Sequence, residues 1–289
     1  MENFSALAAK RRSMSQFTDG KLTGGYEPLS IVFVGAGNVA TCMADVFVEK
    51  GLHVICVYSR TAGSASVLAG KIGCDYVTEL ESMPKADIYI VMLKDDVLLS
   101  LASRIVAVCP DALFVHTSGC VPMSVWKGAG AMHYGVLYPM QTFSRAKKVK
   151  WDNLPIFPEA SSDEDMETLT TIANTISENV HPLSSELRCR MHLAAVFVTN
   201  FTNRMYGISE ALLKEAGLSF HLMLPMILET AAKVIKLNPV KAQSGPAARG
   251  DERVMNVHRE LLKSHPEWLE MYNLISADIR KAVGDGDRV

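Results

Sequence analysis

Charge of either sign is nearly cancelled in this chain: 29 Lys and Arg stand against 31 Asp and Glu, leaving −2. That excludes the one-signed field used on nucleic acid or membrane surfaces, and neither is expected as a partner. Long apolar runs are also missing, and none approaches the roughly 18 residues of a membrane span. The first residues carry no secretory apolar region, because Ala6–Ala9 runs straight into Lys10-Arg11-Arg12. The six cysteines (Cys42, Cys56, Cys74, Cys109, Cys120, Cys189) form no Cys-x-x-Cys pair and no metal spacing. Several fall in expected strands and apolar helices. They are read as reduced core thiols of a cytoplasmic protein, and no metal is expected. Apolar residues, in contrast, make up 48% of the 289 positions, enough for one large or two medium domains.

The most informative stretch is Ile31-Val32-Phe33-Val34-Gly35-Ala36-Gly37-Asn38-Val39-Ala40. A buried-type strand ends in Gly-x-Gly-x-x-Ala and a helix pattern follows, the opening of a dinucleotide-binding βαβ unit. Gly35 permits the tight turn, Gly37 lets the backbone approach a pyrophosphate, and Ala40 lets helix and strand pack closely. The free N–H groups around Asn38 and Val39 then face the phosphates. The next strand, near Val54–Tyr58, falls where that unit requires it.

From Leu29 onward, strand and helix patterns alternate, which predicts a Rossmann-type parallel sheet with helices on both faces. Expected strands are 31–34, 54–58, 75–77, 88–93, 113–116, 131–137 and 153–157, with an edge strand at 180–183. An amphipathic helix with an acidic first turn is expected at 163–179. After Ser184 the period becomes helical. One long helix is expected over 185–214, interrupted at Gly207 at most, and a second over 218–237, kinked at Pro225. A loop at 238–251 precedes two further helices. The reading is thus α/β: an arm at 1–28, a Rossmann-like dinucleotide-binding domain at 29–184, and an all-α domain at 185–289 for substrate and dimerisation.

The residue after the second strand of such a unit meets the adenosine ribose, and a carboxylate there selects NAD. Here the strand runs into Ser59-Arg60-Thr61 with no carboxylate. Ser59 can donate to a 2′-phosphate and Arg60 can pair with it, so NADP is favoured over NAD. Leu93-Lys94 and His116-Thr117-Ser118-Gly119 end the next two buried strands and should border the nicotinamide. His116 or Thr117 could donate to a substrate carbonyl. His116 could equally make a structural hydrogen bond to its loop. Tyr134 to Thr142 adds an aromatic, polar rim.

At about 100° per residue, Arg188, His192, Ala195, Thr199 and Asn203 share one face of the long helix. Leu193, Phe197 and Phe201 lie opposite and read as core. Residues 194–203 carry no charge, which favours a cleft for the polar face over plain solvent. In the loop Gln243 to Asp251, Arg249 could hold an anion and Asp251 could cap the following helix. A shaped structural turn explains the same residues.

These segments together resemble a family that joins an NADP-binding Rossmann-like domain to a helical C-terminal domain of unassigned function. The matching residues are Val34–Ala40, His116–Gly119 with Pro122-Met123, Tyr138–Phe143, His192–Phe197, Asn200–Asn203, Gly245-Pro246 and Arg249–Asp251. The likeness covers about residues 29–283. More distantly, the layout is similar to pyrroline-5-carboxylate reductase and the β-hydroxyacid dehydrogenases. In the dehydrogenases a helix of the second domain supplies a catalytic Lys with an Asn four residues on. This chain departs there: Arg188 and His192 stand on that helix, with no Lys before Lys214. The resemblance implies an NADP-dependent oxidoreductase, passing hydride between nicotinamide and a small polar carbonyl, imine or hydroxyl substrate in the cleft between domains. His192 is the expected general acid, with His116 and Asn203 in the catalytic set. Thr117, Thr199 and Arg249 are the expected substrate contacts, and a homodimer is expected. The alternative is a non-catalytic NADP-responsive binding protein. Separately, Ala8–Ser13 with Phe17-Thr18-Asp19 resembles the opening of nitroreductases, without the rest of that fold.

Overall fold

The computed structural model describes residues 28–286; the nitroreductase-like stretch of the arm lies outside the described residues. The chain divides into two compact units, with the boundary between Phe197 and Val198.

In the first unit, β1 (Ile31–Val34) is buried at all four positions. A parallel strand covered on both faces needs such a continuous apolar run. Its side chains alternate between two cores. Ile31 and Phe33 join Phe47 and Leu169 on one face, and Val32 and Val34 join Tyr89, Phe114 and Trp126 on the other. The remaining strands are β2 (Val54–Tyr58), β3 (Asp75–Val77), β4 (Ile88–Val91), β5 (Leu113–His116), β6 (His133–Pro139) and β7 (Ile156–Ala160). They form one seven-stranded sheet in the order β3-β2-β1-β4-β5-β6-β7. All pairings are parallel except β6 with β7. The order reverses between β1 and β4, so a ligand crevice is expected beyond their carboxyl ends. Helices α1 (Asn38–Glu49), α2 (Ala62–Ile72), α3 (Asp95–Val108), α4 (Ser124–Gly128), α5 (Asp163–Ile176) and α6 (Ser185–Val196) complete the unit. α5 starts at the expected acidic turn, with three acidic residues in it, and Ser162 caps it by accepting from the Asp165 N–H at 3.2 Å.

Several expected elements move. The strands expected at 131–137 and 153–157 begin two and three residues later. The edge strand at 180–183 reduces to one bridge, Val180 to Ile156. Pro158, in the middle of β7, has no N–H to donate to this segment, which breaks the ladder there, although its carbonyl accepts from the Leu183 N–H at 3.1 Å.

The helix expected over 185–214 is interrupted earlier than Gly207. After α6 comes a π-helical turn, Phe197–Phe201, and then α7 (Thr202–Glu215). The second unit continues with α8 (Leu224–Lys236), α9 (Pro239–Ala242), α10 (Pro246–Arg249), α11 (Glu252–Leu261) and α12 (Pro266–Gly286). Pro225 sits in the first turn of α8, where its missing N–H costs nothing, so it starts the helix rather than kinking it. Asp251 caps α11 as expected, accepting from the Val254 N–H at 3.2 Å.

Two of the six cysteines depart from the reading as reduced core thiols. Cys120 and Cys189 form a disulfide, and Cys120 is exposed. The topology brings the loop after β5 against α6, across 69 positions of sequence, and spacing alone carries no sign of such a pairing. The other four are free, with Cys42 and Cys56 buried.

Candidate functional site

The Gly-rich turn is built as its sequence requires. Gly35 has φ +119°, and a Cβ there would lie 2.6 Å from the Met92 carbonyl oxygen. Backbone conformation and close approach both demand glycine. Gly37 is different, since a Cβ there would meet nothing within 4 Å. Its missing side chain leaves open space at the start of α1, whose first turn has no side-chain cap. Helix N–H groups facing open space suit a phosphate. Ala40 is fully buried against the sheet. Asn38 turns its amide to the Phe143 carbonyl at 3.3 Å. The residues present therefore fit a dinucleotide.

The neighbouring strand ends meet this turn. The Tyr58 carbonyl accepts from Gly35 N–H at 2.8 Å, so the end of β2 adjoins it. Ser59 and Arg60 follow, half-buried and exposed respectively. Past β4, Leu93 approaches within 3.3 Å of the position a Gly35 Cβ would take. Lys94 follows it as an exposed residue just before α3. All of the cofactor residues expected from the sequence thus lie around the carboxyl ends of β1, β2 and β4.

The loop after β5 supports a second cluster. Thr117 continues the strand ladder, its N–H reaching the Val91 carbonyl at 3.3 Å. Ser118 Oγ accepts from the N–H groups of Cys120 and Val121. Gly119 is buried, and a Cβ on it would stand 2.5 Å from the His192 ring. His192 therefore rests directly on this loop. Its Nδ1 lies 2.9 Å from the hydroxyl of Tyr138, near the end of β6, and the two rings meet edge to face. Burial raises the Tyr138 hydroxyl above its usual range, against a weaker opposing pull from the Arg188 charge. A protonated hydroxyl can donate to Nδ1, and His192 then carries its proton on Nε2.

His116 takes the structural one of its two readings. It is completely buried against Trp126, and its Nδ1 accepts from the Ser118 N–H at 3.2 Å. Burial, reinforced by the Arg188 charge, lowers it to about 3. In this arrangement the ring is neutral and enclosed in the core.

Arg188 also departs from expectation. It is fully buried rather than lining an open face. Its guanidinium pairs with Glu159 of β7 and donates to the Val121 carbonyl at 2.6 Å and to Ser185 Oγ at 3.2 Å. Glu159 in turn accepts from the N–H and hydroxyl of Ser185. This network anchors the first turns of α6 to the sheet and so sets the position of His192 one turn on.

The common face drawn through His192, Thr199 and Asn203 assumed a regular helix. The π-helical turn widens the step between residues, so that arithmetic fails beyond Val196. Thr199 lies in the turn and donates to Asn200 Oδ1 at 2.9 Å. Asn203 is exposed on α7. Arg249 is exposed at the end of α10, followed by Gly250 in a left-handed cap. Leu193, Phe197 and Phe201, read as core, are instead 58%, 61% and 49% exposed. No group of three or more His, Cys, Asp or Glu able to hold a metal occurs among the described residues. No described helix is long and apolar enough to cross a membrane.

Sequence reasoning missed two residues that matter here. Tyr138 was only part of an aromatic rim, because nothing local pairs it with a residue 54 positions away. Arg145 sits in an irregular Arg/Lys-bearing stretch and had no signal at all. Its Nη2 donates to the Ala36 carbonyl in the Gly-rich turn at 2.5 Å.

Residues 30–118 match the family described as "NADP oxidoreductase coenzyme F420-dependent", and residues 154–279 match a domain of unknown function. The crystal structure of a "putative NADP oxidoreductase" from Bacteroides fragilis is 46% identical, covering 88% of this chain and 98% of that one, with a TM-score of 0.84. An imine reductase from Myxococcus stipitatus in complex with NADP+ is 16% identical over 89% of this chain and 95% of its own, with a TM-score of 0.65. A reductive aminase from Aspergillus terreus in complex with NADPH and ethyl-5-oxohexanoate is 16% identical over 88% and 95%, with a TM-score of 0.64. The last two show the fold alone. No curated protein matches the chain.

Proposed function

The chain belongs to the NADP oxidoreductase family of its Bacteroides fragilis relative, and from that premise we propose that it reduces a small polar carbonyl or imine, or oxidises the corresponding alcohol or amine. The observation that carries this reading is His192, seated on the loop after β5 and hydrogen-bonded to Tyr138 at the end of β6. Strand carboxyl ends are where open α/β sheets bind their ligands. Bound NADPH supplies a hydride from its nicotinamide. The chain's own residues supply the rest. The Gly35–Ala40 turn holds the phosphates, Ser59 and Arg60 meet the ribose 2′-phosphate, and Lys94 and Thr117 flank the reacting end. Tyr138 fixes the His192 tautomer, so Nε2–H delivers the proton that a reduced carbonyl oxygen or imine nitrogen requires. The imine reductase and reductive aminase named above share the fold, which makes imines a reasonable first substrate class to try.

The test is NADPH consumption against panels of small ketones, aldehydes and cyclic imines, followed at 340 nm. Saturable turnover with one class supports the reading. Tight NADPH binding with no turnover on any panel would favour the alternative, a binding protein that responds to NADP. The unaltered protein is expected to bind NADPH at least about tenfold more tightly than NADH, the worth of one charge-assisted contact at about 1.4 kcal/mol. Arg60→Asp is expected to reverse that order in fluorescence titrations. Equal affinities for the two cofactors in the unaltered protein would sink the assignment.

We also propose a homodimer. None of the 13 residues of α8 is buried within the chain, although it carries Met226, Leu228 and Ile235 at 65%, 70% and 84% exposure. An apolar helix left uncovered to this degree marks an interface. Light scattering at micromolar concentration should report twice the 31.6 kDa chain mass; a monomeric mass would overturn the proposal.

A further inference from the structure

We infer that Arg145 is a second cation for the ribose 2′-phosphate of NADP, reaching the adenosine end of the site from the loop after β6. The inference rests on the dinucleotide reading above and extends it to a residue that belongs to none of the expected motifs.

Three observations converge. First, the segment around Arg145 is strapped across the Gly-rich turn. Asn38 donates to the Phe143 carbonyl at 3.3 Å, the Cys42 thiol approaches the Ser144 carbonyl at 3.6 Å, and Arg145 donates to the Ala36 carbonyl. Phe143 stacks on Trp151 behind it, with ring centroids 5.7 Å apart. The guanidinium is thereby held at one place beside the turn.

Second, Arg145 borders a cavity of about 180 Å³ between the Gly-rich turn and the first turn of α2. Ala36 and Thr41 line one side, and Gly63, Ser64, Val67 and Leu68 line the other. α2 begins directly after Ser59-Arg60, the stretch that meets the adenosine ribose in this kind of unit. The pyrophosphate, by contrast, belongs at the start of α1. The cavity therefore lies on the ribose side.

Third, the charges around this cavity are unequal in availability. Lys71 also lines it, but its Nζ is engaged with Asp45 at 2.6 Å. Among the described residues no carboxylate pairs with Arg145. Its single bond to Ala36 leaves four of the five guanidinium N–H donors for other partners. A pinned guanidinium with spare donors, at the edge of a cavity that also presents the Ser64 hydroxyl, matches the forked geometry by which arginine holds a phosphate monoester. Arg60 and Arg145 would then both pair with the 2′-phosphate.

Arg145→Gln tests this with cofactor affinity as the readout, using NADPH and NADH in fluorescence titrations and adenosine 2′,5′-bisphosphate against 5′-AMP as competitors. The variant is expected to bind NADPH and the bisphosphate about tenfold more weakly, while NADH and 5′-AMP change less than about twofold. Arg145→Lys, which keeps the charge but loses the fork, should recover part of the loss. If NADPH and NADH weaken equally, Arg145 merely orders the Gly-rich turn or meets the pyrophosphate, and the inference falls. If neither weakens, it falls as well. The premise fails separately: equal affinities in the unaltered protein would remove the NADP preference itself. A preference that survives intact in Arg145→Gln would remove only this assignment.

Discussion

His192→Ala lowers turnover by roughly 10²–10⁴-fold, the span that a positioned general acid contributes, while NADPH affinity stays within about twofold. The separation follows from the geometry. His192 rests on Gly119 and bonds to Tyr138 near the ends of β5 and β6. The phosphate turn at Gly35–Ala40 is built by β1 and α1 and does not touch it. The measurement is kcat and KM with the best substrate from the carbonyl and imine panels, alongside a binding titration. A fall in NADPH affinity in step with turnover would mean that the imidazole supports the fold of the site rather than the chemistry. Tyr138→Phe sharpens the test. It removes the donor to Nδ1, so the tautomer with its proton on Nε2 is no longer selected. Nitrogen-15 NMR of the imidazole reads that tautomer directly, and a smaller loss of turnover than in His192→Ala should accompany the change. An unchanged tautomer in Tyr138→Phe would refute the positioning role of the phenol.

Arg188→Met has the largest expected effect on stability. Removing one partner of a buried ion pair strands the other in a poor solvent, a loss of about 3–5 kcal/mol in comparable cases. Here the lower end applies, about 3 kcal/mol, because Glu159 is 15% exposed and keeps the donors of Ser185. For a unit of this size that corresponds to a fall of roughly 6–12 °C in melting temperature. The double variant Arg188→Met with Glu159→Gln leaves no uncompensated charge and keeps an acceptor for the Ser185 N–H. It should regain more than half of the loss. A single variant as stable as the unaltered protein would show that the network is solvated and does not anchor α6. The two arginines singled out by the structure thus differ in kind. Arg188 is buried and fixes a helix, whereas Arg145 is exposed and commits one of its five donors to the Ala36 carbonyl.

The parts legible in the sequence were those whose signal is local. Ile31–Val34 had to be a strand buried on both faces, and Gly35, Gly37 and Ala40 each carry a steric reason visible one residue at a time. Three acidic residues in the first turn marked the start of α5, and Asp251 marked the start of α11. The register of β7 was harder to read, because it depends on the antiparallel pairing with β6. The helix face through Thr199 and Asn203 was misdrawn because a π-helical turn leaves no compositional mark in Phe197–Phe201.

By itself the sequence determined the α/β character of the first unit, the dinucleotide turn, the missing carboxylate after β2 and the helical character of the remainder. All of these rest on contacts between residues a few positions apart, or on the period of apolar side chains. Only the tertiary structure decided which side chains meet across long separations. It enclosed His116 and neutralised it by burial. It turned Arg188 inward to Glu159, joined Cys120 to Cys189, set His192 on Gly119 beside Tyr138, and carried Arg145 back to Ala36. The physical reason is common to all five. Burial and pairing depend on where the folded chain brings a residue, and a titratable side chain has the same composition whether the fold encloses it, pairs it or leaves it to solvent.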